Sequence, residues 1–175
     1  FNALISLTKF LADPEEKLPA ITYWLMGSLG TASYRDLYTA GPIILIGIII
    51  LIAVRWRINL LTLPDDEAKS LGISVANLKW TVILGATLCT AAAVAIAGIV
   101  GWVGLIIPHI ARMFVGNNNE RVLPMSLALG GAYLLIIDTL ARTLTAAEIP
   151  LSILTAIVGA PFFAYLLRKT GGSWS

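Results

Sequence analysis

Residues 80–111 carry no formally charged side chain. As one straight helix they would measure about 48 Å, against a bilayer hydrocarbon core of roughly 30 Å. A segment this apolar is not a solvent-facing helix, and one this long does not cross a membrane once, so it has to break. Gly98, Gly101 and Gly104 recur at every third position, and Pro108 follows. These residues allow a broken helix or a close helix contact. They predict a span over residues 80–99, a glycine-rich turn, and a shorter return helix over 105–115.

Composition agrees with a membrane setting. The chain is 58% apolar and 13% charged, with a mean hydropathy of +0.86, whereas soluble domains are nearer half apolar and a quarter charged. A net charge of +2 argues against nucleic acid as a partner. Cys89 is the single cysteine. It offers no disulfide framework and no CxxC metal pair, and reads as a small apolar residue on a buried helix. The chain starts on Phe1-Asn2-Ala3-Leu4, already apolar and with no charged leader, which reads as the tail of a helix whose beginning is missing.

The remaining segments fall around that broken run. Residues 1–12 end a helix, bounded by Asp13-Pro14-Glu15-Glu16-Lys17. Residues 18–34 are uncharged but interrupted by Pro19, Gly27 and Gly30, which fits a short re-entrant or interfacial helix with Tyr23, Trp24 and Tyr34 in the headgroup zone. Residues 37–54 form a clear span, closed by Arg55-Trp56-Arg57. Residues 122–141 form another, ending near Asp138 and Arg142, and 149–167 a last one, ending at Arg168-Lys169. Pro161, in Gly159-Ala160-Pro161-Phe162-Phe163, removes a backbone hydrogen bond and predicts a kink. Residues 171–175 read as a soft tail, disordered or interfacial. The fold class is thus all-α: a polytopic helical bundle, a single domain over 1–175, of about five spans, a short re-entrant or interfacial helix and short cytoplasmic helices.

Charge sets the orientation. Arg55, Arg57, Lys69, Lys79, Arg112, Arg121, Arg168 and Lys169 fall on one side, which is eight of the twelve basic residues. Lys9, Lys17, Arg35 and Arg142 fall on the other. By the positive-inside rule the first side is cytoplasmic. Parity then requires 18–34 to return to the side it came from.

Residues 64–79 are the one long polar-punctuated stretch, and this topology puts them in the cytoplasm. Pro64 suits a helix start, and Asp65, Asp66 and Glu67 sit where the positive helix end favours carboxylates. Gly72 is a natural helix stop and Ser74 a cap for a second helix running into the next span. Leu71 and Ile73 would be exposed at the turn. A solvated loop is the bland alternative, but a plain loop rarely has two caps and an apolar tip.

Two further groups draw attention. His109, in Gly101-Trp102-Val103-Gly104-Leu105-Ile106-Ile107-Pro108-His109-Ile110-Ala111-Arg112, is the only histidine. It could serve a proton or a metal, but without partners it reads first as structural. Asp138 and Arg142 are four apart and can pair on one helix face, just before Glu148-Ile149-Pro150. The sequence contains no GxxxxGK[ST] phosphate loop, no HExxH and no GxSxG turn. If ATP energy is used, another chain hydrolyses it.

These motifs, in this order, resemble the FecCD family of ABC importer permeases, the membrane subunits for iron–siderophore, haem and vitamin B12 uptake. The matching stretches are Glu67-Ala68-Lys69-Ser70-Leu71-Gly72, Gly98 through Arg112, Gly116 with Arg121 and Pro124, Asp138-Thr139-Leu140-Ala141-Arg142, Glu148-Ile149-Pro150 and Gly159 through Phe163. Trp24 through Gly30 resembles the family's stretch after its fifth span. The resemblance implies a ten-span subunit of which this chain is the second half, acting as a homodimer in a bacterial or archaeal cytoplasmic membrane. It implies ATPase subunits docked on Asp65, Asp66, Glu67, Ala68, Lys69, Ser70, Leu71, Gly72 and Ile73. It implies a periplasmic or lipid-anchored substrate-binding protein met by Arg142, and a pathway or gate near Trp24, Met26, Gly27 and Ser28. Gly101, Gly104, Pro108, His109, Arg112, Asp138, Glu148, Pro150 and Pro161 carry structural roles. No metal or cofactor is bound by this chain, and ATP belongs to the partner. Ser152 departs from the family's usual glycine. The competing reading is an ion-coupled secondary transporter using Asp138, Glu148 and His109, and an intramembrane enzyme lacks any paired nucleophile and base.

Overall fold

The computed structural model describes residues 2–70, 72, 74–145 and 147–170, without the side chains of Asp65, Asp66, Lys69, Leu167, Lys169 and Thr170. The expectations for Leu71, Ile73 and the tail 171–175 lie outside the described residues. The order is α1 (Asn2–Leu11), α2 (Lys17–Leu25), α3 (Tyr34–Ile58), a 3-10 turn (Asn59–Thr62), α4 (Asp65–Ser70), α5 (Val75–Ala97), α6 (Val103–Val115), α7 (Asn119–Thr143) and α8 (Leu151–Thr170).

Helix α3 starts earlier than its apolar run because it is capped. Ser33 and Asp36 form a reciprocal capping box, in which Asp36 Oδ2 accepts from the Ser33 backbone N–H at 2.9 Å and Ser33 Oγ accepts from the Asp36 N–H at 3.3 Å. The helix then runs through Pro42 and ends with Arg55 and Arg57 in its last turn, where cations suit the negative helix end. Ser74 caps α5 as expected, accepting from the Asn77 N–H at 3.4 Å. Helix α8 continues through Pro161.

The expected five passes resolve into two classes. Among the described residues, three segments are long and apolar enough to cross a membrane: Tyr34–Thr62, Val75–Ala97 and Asn119–Thr143. Val103–Val115 and Leu151–Leu166 are shorter apolar helices. At 13 residues, α6 measures about 20 Å, less than a hydrocarbon core, and the break at 98–102 precedes it.

The bundle is built on α3 and α5, which meet along a seam of small residues. A Cβ on Gly47 would lie 2.5 Å from Cys89 Sγ and 2.8 Å from the Gly85 carbonyl. A Cβ on Gly85 would lie 3.0 Å from Leu51 Cγ. In lipid, where apolar burial gives helices no net reason to associate, such close backbone approach is what holds them. Cys89 belongs to this seam, its thiol directed at the Ile44 carbonyl at 3.6 Å. Helix α7 packs on both α3 and α6. The outer faces carry exposed Ile46, Leu84, Leu135 and Ile136, as a lipid-facing surface requires. Neither α1 nor α2 has a buried residue.

Gly47→Val is therefore expected to destabilise the folded chain by about 1–3 kcal/mol through overpacking. A Cβ at Gly104 meets nothing within 4 Å, so Gly104→Ala should leave stability unchanged or slightly raised. Thermal unfolding of the purified protein in detergent, followed by circular dichroism, compares the two.

Candidate functional site

The helices have two populated ends. One, the basic end, brings together the close of α3, the start of α5 and the start of α7. The other gathers the segment after α2, the break between α5 and α6, and the start of α8.

At the basic end, the 64–79 stretch folds as a short helix, a turn and a second helix, with the second continuous with the span. Ala68 is 1% exposed and seats α4 against the 3-10 turn and α5. Its N–H bonds the Pro64 carbonyl at 3.1 Å. Asp65, Asp66 and Glu67 occupy the first turn of α4, and Ser70 Oγ donates to the Glu67 carbonyl at 2.7 Å. Gly72 has φ +76°, the left-handed conformation that closes a helix, and a Cβ there would meet nothing within 4 Å. Glu67, Ser70, Gly72 and Ser74 are exposed. Gly72, Ser74 and Asn77 line an open cleft with Trp56 and Arg57. Among its described residues the stretch is anchored by buried Ala68, Val75 and Leu78, and it presents its turn outward.

At the opposite end, broken helix ends satisfy one another. The Leu151 N–H bonds the Gly27 carbonyl at 2.9 Å, and the Ser152 N–H bonds the Met26 carbonyl at 3.1 Å. Free donors at the start of α8 thereby take free acceptors at the end of α2. The Ser28 N–H takes the Ala97 carbonyl at 3.0 Å. Ser28, nearly buried, donates from Oγ to Glu148 Oε1 at 3.2 Å and accepts from the Gly30 N–H at 3.0 Å. The Glu148 carboxylate occupies the space that a Cβ on Gly30 would fill. Tyr23 Oη donates to the Glu148 carbonyl at 3.4 Å, and the Ile149 N–H bonds the Ala141 carbonyl at 3.1 Å. Around this knot lies the core of Ile137, Ala141 and Leu151, with Leu29, Val100, Tyr133 and Leu154 against it.

The break itself is carried by Gly98 and Trp102. Gly98 has φ 69° and ψ −159°, a region essentially restricted to glycine. A Cβ there would overlap the Trp24 carbonyl oxygen and lie 3.1 Å from Gly27 Cα. Gly101 and Gly104, expected to share this role, have no neighbour within 4 Å of a Cβ position. The close contact belongs to Gly98 because it alone faces the end of α2. Trp102 is the one non-glycine residue at positive φ, 67°, among the described residues. It fits over Gly159, whose Cβ position is 2.8 Å from Trp102 Cβ, and meets Phe163 edge-on at 6.4 Å. Trp102 was not legible in this role, since its backbone conformation runs against its residue type.

The other predicted residues disperse. Trp24 is 47% exposed beside Met26, Gly27 and Ser28. On α6, Ile106, Ile107 and Ala111 are buried, while His109 and Arg112 are exposed. Among the described residues no group of three or more His, Cys, Asp and Glu side chains gathers. Pro150 precedes α8, its carbonyl accepting from the Ile153 N–H at 3.1 Å. Arg142 and Asp138 form a two-pronged pair, Nε to Oδ2 at 2.9 Å and Nη2 to Oδ1 at 3.1 Å, at the end of α7 away from the basic end.

Comparison with known proteins bears on this arrangement. The profile of the FecCD transport family matches residues 1–169. The molybdate import system permease protein MolB of Haemophilus influenzae is 48% identical over 169 residues, covering 97% of this chain and 50% of that protein. The cobalamin import system permease protein BtuC of Halobacterium salinarum is 42% identical over 165 residues, 93% of this chain and 44% of that protein. A solved structure described as an inward-facing conformation of a metal-chelate type ABC transporter superposes with a TM-score of 0.93 at 48% identity, covering 96% of this chain and 55% of that one. The chain spans about half the length of the relatives it matches.

Gly98→Ala is expected to lower the unfolding temperature clearly, because its backbone conformation alone costs a non-glycine residue about 1–3 kcal/mol. Gly101→Ala, three residues on and unhindered, should not. Parallel melts of the two variants, with the retained fraction of monodisperse protein, decide between them.

Proposed function

Because the chain belongs to the FecCD transport family, we propose that it supplies the second half of an ABC importer permease that moves a metal-containing small molecule into the cytoplasm. The relatives carry molybdate, cobalamin, haemin and iron chelates by name. The cargo class is accordingly a metal chelate or metal oxyanion. The observation that carries the reading is the 64–79 segment: the short helix α4, anchored through Ala68, a left-handed and unobstructed glycine turn, and the Ser74-capped start of α5 at the basic end.

The chain performs no bond chemistry. ATPase subunits supply the energy from the cytoplasmic side, and Asp65 through Ile73 form the seat on which they push. The basic end faces the cytoplasm of a bacterial or archaeal cell, since its Arg and Lys residues cluster near helix ends. On the opposite face Arg142 offers a charge to a carboxylate of a periplasmic or lipid-anchored binding protein, with Asp138 holding its guanidinium in a fixed plane. Two copies of the complete subunit enclose the pathway, with Trp24, Met26, Gly27 and Ser28 near its gate, and lipid covers the exposed apolar faces. The ion-coupled alternative loses ground on geometry: Asp138 is paired with Arg142 and Glu148 is engaged by Ser28.

In the intact transporter containing this chain, Gly72→Val is expected to keep expression and ATP hydrolysis but abolish uptake. Gly72→Asn, which tolerates positive φ, should retain most uptake. Normal uptake by the valine variant sinks the coupling role. Arg142→Glu should slow association of the binding protein by about tenfold at low salt and flatten its salt dependence, as read by surface binding kinetics.

A further inference from the structure

A second tertiary contact sits at the basic end, beside the coupling segment and separate from it. Asn59 opens the 3-10 turn after α3, and Asn118 caps α7, 59 residues further along. Asn59 Nδ2 donates to Asn118 Oδ1 at 2.8 Å, and Asn59 Oδ1 accepts from the Asn119 backbone N–H at 2.8 Å. Asn118 Oδ1 also accepts from the Glu120 N–H at 3.0 Å. One side-chain amide thus uses its donor and its acceptor on the first residues of another helix. The backbone N–H of Asn119 fixes which end of the Asn59 amide is oxygen.

The position of this pair gives it a consequence. Helix α4 packs against the 3-10 turn that Asn59 begins. Helix α7 packs on α3 along the membrane through apolar side chains, which resist separation but are non-directional and do little to fix axial register. Directional hydrogen bonds do fix it. Helix α7 then runs 25 residues to the end that carries Asp138 and Arg142. We infer that the Asn59–Asn118 pair is a positioning clamp that locks the axial register of α7 to the base of the coupling segment, so that displacement of α4 reaches the far end of α7. The inference rests on the permease reading.

The test uses the intact transporter in proteoliposomes with its ATPase and binding protein, measuring ATP hydrolysed per substrate molecule accumulated. Asn59→Ala removes the clamp. Asn118→Ser keeps an oxygen for the Glu120 N–H but is too short to reach Asn59. Asn118→Asp keeps both acceptor roles. Hydrolysis should persist in all three, while the ratio rises about fivefold or more in the first two and stays near the unsubstituted value in the third. An unchanged ratio in both Asn59→Ala and Asn118→Ser overturns the clamp. If those variants do not assemble, Asn59→Cys with Asn118→Cys, in a Cys89→Ser background, decides by bridging with a short thiol cross-linker. Restored coupling on bridging supports the clamp, and lost coupling means the two residues must part during the cycle and overturns it. Absence of ATP-driven uptake in the unsubstituted transporter would instead strike the permease reading, and the inference with it.

Discussion

Helix ends inside an apolar medium leave backbone groups that water does not reach, and the structure depends on how those groups are met. Here they are met by each other. The end of α2, the end of α5 and the start of α8 converge so that Met26 and Gly27 carbonyls take the N–H groups of Ser152 and Leu151, while the Ala97 carbonyl takes the N–H of Ser28. No single helix end could satisfy these groups alone. Three broken ends can do so together, which is why glycines cluster where backbones touch and why Ser28 and Glu148, from opposite parts of the chain, complete the knot.

From this knot the rest follows as two unequal parts. Helix α3 packs on α5 and α7, and α7 on α6, with the small-residue seam of Gly47, Gly85 and Cys89 between α3 and α5. Helices α1 and α2 bury no residue of their own and join the others chiefly where α2 ends. The basic end is held differently, by side chains: Ala68 seats α4, Ser74 caps α5, and Asn59 meets Asn118.

The membrane class, a glycine-rich break close after the second long span and the capped segment 64–79 were legible because each rests on a local property: apolar length, glycine and proline, and capping side chains. Gly72 at φ +76° and Ser74 at the start of α5 stand where their residue types predict. The early start of α3 escaped because Ser33 and Asp36 form a capping box with aspartate in place of the usual glutamate. The break falls at residues 98–102, on the first two of the three glycines expected to carry it, but which of them makes the close contact was not legible. A glycine's need shows only when something approaches it, and the end of α2 approaches Gly98 alone. Trp102 was hidden because its positive φ is imposed by packing over Gly159 and contradicts its own preference.

The sequence by itself determined that this chain lies in a membrane as helices, where its long apolar run must break, which end is basic and where two short helical pieces interrupt the spans. These follow from side-chain hydropathy, charge and backbone preference, each readable within a few residues, although the second of those pieces is the start of α5 itself. The tertiary structure alone decided the partners: Ser28 with Glu148, Leu151 with Gly27, Asn59 with Asn118, Trp102 with Gly159. Every residue carries its hydrogen-bonding capacity and its volume in its formula, but which group meets it is set by how closely helices distant in sequence approach.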